Sequence, residues 1–204
     1  MSLSAKRVYF SDYFFDVWED VYEPAEDSFL FAENLEVQKA ETVLDMGTGC
    51  GILGIIAAEK AKTVVAVDVN PFAISCAREN ANLNDVQNKM RYLQGDLFMP
   101  LSGRFKFDVV LFNAPYLPVN NAETEAWIER AWAGGATGRQ VINRFISEIP
   151  NHLKKTGRVF LMQSTLADVD ESLRRFAACG MSTRVVAEYA LPLFEKIKLI
   201  ESQI

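Results

Sequence analysis

The sequence predicts an α/β fold, a mostly parallel sheet flanked by helices on both faces. From Thr42 onward, short apolar runs alternate with helical stretches, the order that builds parallel sheets. The runs are apolar at nearly every position rather than every second one, and Thr63–Asp68 (TVVAVD) has the composition of a strand covered on both sides. Length agrees, because a chain of 204 residues buries roughly 70% of the surface its unfolded form exposes.

The elements follow in order. Pro24 suits the first turn of a helix running to about Leu35, with Glu26 and Asp27 at its positive end. Thr42–Asp45 is a short strand, and a glycine turn leads from it into a helix over Gly51–Lys60. After the strand Thr63–Asp68, Asn70 is an N-cap and Pro71 opens a helix to Leu83. Lys89–Leu93 and Phe107–Phe112 (FDVVLF) are the next two strands. Arg139–Ile149 is a helix closed by Pro150, and Arg158–Gln163 (RVFLMQ) is a fifth strand. Leu166–Ala178 is a helix with Gly180 as its C-cap glycine. Thr183–Tyr189 and Glu195–Ile200 read as a terminal antiparallel pair around Pro192. Ahead of Glu23 lies an aromatic, acidic lead-in, with Tyr13, Phe14, Phe15, Trp18 and Tyr22 among Asp12, Asp16, Glu19 and Asp20. It reads as a lid or packing arm rather than as a recognition surface. Without a linker, repeat or low-complexity tract, residues 1–204 are expected to form a single domain with about 1–23 as its arm.

Composition removes several function classes. Lys+Arg 21 against Asp+Glu 27 leaves a net charge of −6, which argues against generic binding to phosphate backbones. The strongest apolar run, Gly51–Ala58, is far short of the roughly 20 residues of a membrane-spanning helix. No basic-then-apolar leader opens the chain, so a cytoplasmic location is expected. Cys50, Cys76 and Cys179 are odd in number and widely spaced, which suggests neither a disulfide framework nor a metal cluster. The single histidine, His152, reads as a surface residue at an exposed helix end. Chemistry that depends on imidazole is therefore not expected.

The strand ends carry the chemistry. In Val43-Leu44-Asp45-Met46-Gly47-Thr48-Gly49-Cys50-Gly51 a strand runs into three alternate glycines and then a helix. Glycines there permit a tight turn and let backbone N–H groups approach a ligand. The spacing is G-x-G-x-G; the dinucleotide pattern G-x-G-x-x-G would need glycine where Ile52 stands. Asp45 before the loop suits a cofactor with positive charge better than one with a pyrophosphate. Asp68 ends the second strand, where a carboxylate accepts both hydroxyls of a ribose. Asp96, in Gln94-Gly95-Asp96-Leu97, follows the third and is placed for an exocyclic amine such as that of adenine. Asn113, in Phe112-Asn113-Ala114-Pro115-Tyr116, ends the fourth. Four consecutive strand ends with these groups suit S-adenosyl-L-methionine: a ribose, an adenine, a sulfonium and an amino-acid tail.

At this point the sequence resembles the class I S-adenosylmethionine-dependent methyltransferases, and within them the HemK-type release-factor glutamine N5-methyltransferases. Val21-Tyr22-Glu23-Pro24-Ala25-Glu26-Asp27-Ser28-Phe29 is similar to the family's segment before the cofactor loop. Asn113-Ala114-Pro115-Tyr116 resembles its N-P-P-Y signature, and Ala131-Trp132-Ala133-Gly134-Gly135-Ala136-Thr137-Gly138-Arg139 the stretch that follows. The resemblance spans roughly residues 20 to 165 and points to the short archaeal/eukaryotic form. It implies a Rossmann-like sheet of seven strands with a C-terminal antiparallel pair. It implies cofactor contacts from Ser28, Asp45, Gly47, Gly49, Asp68, Asp96, Leu97 and Asn113, and methyl transfer at Asn113, Pro115 and Tyr116, with no metal.

Amide nitrogen is a poor nucleophile, because its lone pair is delocalised into the carbonyl. A site that accepts hydrogen bonds from the amide N–H groups, through the Asn113 oxygen and a following carbonyl, fixes that nitrogen toward the methyl group, while the Tyr116 ring stacks on the amide plane. No general base is required. Ala114 stands where the family usually has proline; its carbonyl remains, Pro115 holds it extended, and activity is expected to survive. The resemblance implies a glutamine in the Gly-Gly-Gln loop of a class 1 translation termination factor as the acceptor. The competing reading is an exocyclic base amine in rRNA, tRNA or DNA, which the negative charge makes the less favoured partner. A third is a cofactor-binding subunit without chemistry. Relatives of the short form also imply a small zinc-binding activator, added at the edge strand near Lys89–Leu93. Arg174 and Arg175 read as a solvated helix face rather than as a contact for a ribosome-like or acidic partner.

Overall fold

The computed structural model describes residues 5–103, 105–119 and 126–204. The chain opens with a hairpin, β1 (Ala5–Phe10) and β2 (Tyr13–Trp18), followed by α1 (Glu26–Glu33). Then come β3 (Thr42–Met46), α2 (Ile52–Ala58), β4 (Thr63–Asp68), α3 (Pro71–Leu83), β5 (Met90–Gln94) and β6 (Phe107–Asn113). Beyond them lie α4 (Trp127–Arg130), α5 (Gln140–Glu148), β7 (Leu153–Ser164), α6 (Val169–Ala178), β8 (Ser182–Ala190) and β9 (Lys196–Gln203).

Seven strands form one sheet in the order β5-β4-β3-β6-β7-β9-β8. β5 through β7 run parallel, and β9 inserts antiparallel between β7 and β8. This is the expected sheet, with the expected antiparallel pair at one edge and β5 at the other. Strand pleating divides the core into two layers. Val43, Val64, Val109 and Phe160 face α1, α2 and α3, while Leu44, Val110, Phe112 and Leu161 face α5 and α6.

The caps explain where helices begin. The Asn70 side chain accepts the Phe72 N–H at 2.9 Å, so α3 has the bounds that the Asn-Pro signal predicts. The helix expected from Leu166 starts only at Val169. Ser164 Oγ accepts the Leu166 N–H at 3.1 Å and opens a 3₁₀ turn instead. Asp168, at φ 50°, then caps α6 through the Glu171 N–H at 3.1 Å. Arg174 and Arg175 on α6 pair with Glu171 at 3.0 and 2.7 Å.

The N-terminal lead-in is a hairpin packed on α3. Asp16 N–H donates to Asn80 Oδ1 at 2.8 Å and Phe14 N–H to Asn84 Oδ1 at 3.2 Å, while Asn80 Nδ2 returns a bond to the Asp16 carbonyl at 3.1 Å. Phe15 and Val17 are buried beneath it. These bonds and the buried side chains seat the hairpin against α3.

His152 corrects the sequence reading. It does not lie on the surface: its exposure is 8%, and its ring stacks on Phe98 with centroids 4.5 Å apart. Pro150 ends α5 by starting a 3₁₀ turn over Ile149–His152, and that turn carries the imidazole inward. Phe98 in turn stacks on Phe145, and Phe145 meets Phe112, which lines the large cavity described below.

Burial lowers the His152 pKa from 6.5. The unfolded chain thus binds a proton near pH 6.5 that the folded chain refuses until lower pH, and stability is lost as pH falls below that value. We expect His152→Phe, which keeps the stack, to flatten the stability profile between pH 7 and 5. Urea midpoints of both proteins across that range measure it; parallel profiles would contradict a buried neutral imidazole.

Candidate active site

Parallel register gathers the functional groups at one edge of the sheet. Met46 is level with Val67 on one side and with Phe112 on the other. The next residues along the three strands, Gly47 just after β3, Asp68 at the end of β4 and Asn113 at the end of β6, therefore stand side by side. They line a cavity of about 580 Å³ at the carboxyl ends of the strands, the place where open α/β sheets bind ligands, and within the size range of small-molecule sites.

The glycine loop forms one wall. Gly47, Gly49 and Gly51 have φ of 65°, 55° and 92°, the left-handed region that side chains resist. A Cβ on Gly49 would meet nothing within 4 Å; it would stand in open cavity. Gly49 N–H donates to Asp68 Oδ2 at 2.9 Å, and Asn70 N–H to Asp68 Oδ1 at 2.9 Å. Each carboxylate oxygen keeps a lone pair for a further donor. Desolvation at this half-buried position raises the Asp68 pKa.

Ser28, Gly47, Gly49, Asp68, Asp96, Leu97, Asn113, Pro115 and Tyr116 all line the cavity. Asp45 does not. Its side chain is buried beneath the glycine loop, where Oδ2 accepts the Thr48 hydroxyl at 2.6 Å and the Gly54 N–H at 3.0 Å. Burial pushes its carboxyl up to about 7. Asp96 meets Arg144 of α5 at 2.7 Å. The neighbouring Leu97 is held at φ 47° with its side chain in the core.

Asp27, which the sequence reading left as a charge at a helix end, is the polar centre of the opposite wall. It is buried in the first turn of α1 and accepts from Tyr22 Oη at 3.1 Å, Tyr116 Oη at 3.0 Å, Ser28 N–H at 2.6 Å and Ser28 Oγ at 3.1 Å. Ser28 Oγ in turn accepts Asn113 Nδ2 at 3.3 Å. Tyr22 and Asp27 are the site residues that sequence reasoning missed. The signal was present in the Tyr22–Phe29 stretch, but an acid near a helix start has an ordinary explanation in the helix dipole.

Asn113 Oδ1 is buried and accepts no hydrogen bond. Such an orphan costs free energy unless a ligand supplies the donor. Burial raises the pKa of both Tyr116 and Tyr22, with Asp27 adding to it, so both phenols stay protonated as donors. Ala114 N–H, which a proline would lack, donates to the Met162 carbonyl at 3.3 Å.

The glycine cradle, the paired backbone bonds on Asp68 and the open acceptor on Asn113 fit a nucleoside-bearing cofactor beside a planar donor. Among the described residues no group of three or more His, Cys, Asp and Glu side chains is arranged for a metal ion, and no helix is long and apolar enough to cross a membrane.

Comparison with known proteins places the chain among methyltransferases. The family model for the methyltransferase small domain matches residues 23–188. A chain of Methanocaldococcus jannaschii bearing the provisional name protein N5-glutamine methyltransferase is 42% identical over 90% of this chain and 91% of its own. Methyltransferase HEMK2 of Homo sapiens is 33% identical over 80% of this chain and 81% of its own. Among solved structures, the Mtq2–Trm112 complex of E. cuniculi is described as responsible for methylation of the eRF1 translation termination factor. It superposes with a TM-score of 0.69 at 26% identity, covering 90% of this chain and 98% of that one. Methyltransferases of this family in general draw on S-adenosylmethionine. The chain is a methyltransferase of class I architecture and belongs to the methyltransferase small domain family, with the HemK-type glutamine methyltransferases as its kin.

Proposed function

We propose that the protein, a single methyltransferase domain, transfers a methyl group from S-adenosylmethionine to the side-chain amide nitrogen of a glutamine in the Gly-Gly-Gln motif of a class 1 translation termination factor. The observation that carries the reading is the buried, unpartnered Asn113 Oδ1 on the cavity wall. A glutamine amide offers two N–H donors in one plane, and that oxygen accepts one of them. The name of the relative at 42% identity supports a glutamine as the acceptor, and that of the complex at TM-score 0.69 supports a termination factor as the protein that carries it.

When bound, S-adenosylmethionine supplies an electrophilic methyl group on a cationic sulfur. Asp68 would receive its ribose hydroxyls, with the carboxylate held in place by the Gly49 and Asn70 N–H groups. Asp96 would accept from the adenine amine, and Leu97 would line the base site. Gly47 and Gly49 keep the wall free of side chains. Asn113 orients the amide nitrogen, and Pro115 keeps the backbone before it extended. Tyr116 lies against the amide plane, its hydroxyl anchored on Asp27. Catalysis then rests on positioning, for which effective-molarity gains reach about 7–11 kcal/mol. Asp45 acts from below, holding the loop rather than touching a ligand.

The edge strand β5 has a free side in the sheet order. A small, zinc-binding activator subunit that adds a strand there fits this edge, and the Mtq2–Trm112 complex is a precedent for a methyltransferase of this fold assembled with a second protein.

Asp27→Asn and Asp68→Asn separate the two halves of the site. Loosening Tyr116 should lower kcat by about 10- to 100-fold while calorimetry finds cofactor affinity retained. Removing the Asp68 charge should weaken cofactor binding by about tenfold or more, as loss of a charge-assisted hydrogen bond does. The acceptor is tested with labelled cofactor and three substrates in parallel: the termination factor, its Gln→Ala variant and ribosomal RNA. Label is expected on the first alone; label that survives Gln→Ala, or appears only in RNA, rejects the glutamine. Co-expression with the activator should raise solubility and activity together. If neither changes, the β5 edge is not its seat.

A further inference from the structure

The carboxyl edge of the sheet holds a second feature, which methyl transfer itself does not use. The turn between β8 and β9 ends in a bare apolar tip: Leu193 is 94% exposed and Phe194 fully so. Both residues are in the left-handed region, at φ 63° and 66°, which side chains enter at a steric cost. Nothing in the core repays that cost, since neither side chain is buried.

The tip is anchored. Leu191 N–H donates to the Glu195 carbonyl at 2.8 Å, Lys196 N–H donates to Thr165 Oγ1 at 3.0 Å, and Ser164 Oγ donates to the Glu195 carboxylate. These bonds fix the tip to the end of β7. Met162 on β7 is level with Asn113, and Ser164 pairs with Ile197 of β9. The turn therefore stands at the same sheet edge as Asn113–Tyr116, and Ala167, which ends the 3₁₀ turn begun at Thr165, flanks Gly138 together with the Tyr116 carbonyl. Leu166, also exposed, follows Thr165 in the turn that holds Lys196.

The surroundings select the kind of partner. Lys196 and Lys198 share Glu188, at 2.8 and 3.3 Å, and the Glu195 carboxylate stands in the same turn, so the two positive charges beside the ridge are matched by two negative ones rather than offered to phosphate. An exposed, pre-organised leucine–phenylalanine pair suits an apolar protein surface.

We propose that Leu193 and Phe194 form a docking ridge for the methyl-accepting protein, seated against an apolar patch beside the loop that delivers its glutamine. The proposal rests on the protein-substrate reading above and adds the surface by which a folded acceptor is chosen over an isolated loop. Its place at the sheet end that carries Asn113–Tyr116, the link through Ala167 and Gly138 to Tyr116, and the matched charges at its flanks carry it.

The test compares two acceptors, the intact termination factor and a short peptide of its Gly-Gly-Gln loop. The protein, purified with its activator, is assayed as wild type and as the Leu193→Asn/Phe194→Asn double variant. Asparagine tolerates left-handed backbone, and unchanged cofactor affinity verifies that the fold is kept. KM for the intact factor should rise about tenfold or more, as loss of an interface anchor does, with kcat and the peptide reaction unchanged. Phe194→Leu should retain most of the wild-type KM. If the double variant loses cofactor binding, Phe194→Asn alone is measured in its place. An unchanged KM for the factor, or equal losses on factor and peptide, overturns the ridge and leaves glutamine methylation standing. A wild-type protein that labels RNA alone, or labels no acceptor, overturns the underlying reading instead.

Discussion

The turn between β3 and α2 takes left-handed backbone at Gly47, Gly49 and Gly51, and the buried Asp45 carboxyl holds it closed from below. Thr48 Oγ1 and Gly54 N–H both donate to one oxygen of that carboxyl. Gly54 must be glycine for the contact to exist, since a Cβ there would lie 2.6 Å from the same oxygen. Burying a carboxyl costs free energy, and this one responds with a pKa near neutrality. What the cost secures is the path of the loop. With that path set, the Gly49 N–H reaches Asp68, and the parallel register of β3 with β4 and β6 puts Gly47, Asp68 and Asn113 on a common level.

The wall opposite the glycine loop depends on a different acid. Asp27 collects two phenols, a backbone N–H and a serine hydroxyl, so the segment before α1 is tied to the motif after β6. This is a long-range contact, between residues 89 positions apart in the Tyr116 case. It makes the N-terminal region part of the site's framework. Asn70, the cap of α3, adds a tie of its own by donating through Nδ2 to the Asp20 carbonyl at 2.8 Å. The hairpin ahead of it is clamped on α3 by Asn80 and Asn84. Local helix signals and distant polar anchors are here carried by the same residues.

That double use explains what was legible in the sequence. Strand existence, the Asn70-Pro71 helix start and the polar groups at the ends of the parallel strands are local, and each was readable from a few neighbouring residues. β7 was read only over Arg158–Gln163, because its earlier half, from Leu153, is specified by pairing with Phe107 across a bulge rather than by an apolar run. The hairpin was hidden because its two strands are aromatic and acidic, with a pattern that makes sense only against α3. His152 was misplaced because its flanks, Asn151 and the two lysines that follow, are polar; the stack on Phe98 is a tertiary fact. Asp45 was identified as functional by its place before the glycines. Whether it points to the ligand or supports the loop from beneath depends on the pleat of β3, which a motif does not state.

Tyr116 shows how the two walls meet. Its hydroxyl is anchored on Asp27, and its backbone is hemmed in by the glycine-rich stretch that follows α4. Gly138, at φ 71°, lies so close that a Cβ there would collide with the Tyr116 carbonyl oxygen. Leu117 N–H donates to the Trp132 carbonyl at 2.9 Å and accepts the Gly134 N–H on its own carbonyl at 2.9 Å. Glycines 134 and 138 are thus required for close backbone approach, not for flexibility. Ala114 belongs to the same account. Where a proline would stiffen this position with its ring, the Ala114 N–H donates to the Met162 carbonyl, so β7 supplies the restraint instead. A tyrosine held at both its hydroxyl and its backbone loses little further entropy when a flat group settles against it, and the same backbone restraint keeps Asn113 in register with it. Positioning of that kind is what an uncharged amide, whose nitrogen lone pair is shared with its carbonyl, demands of an enzyme.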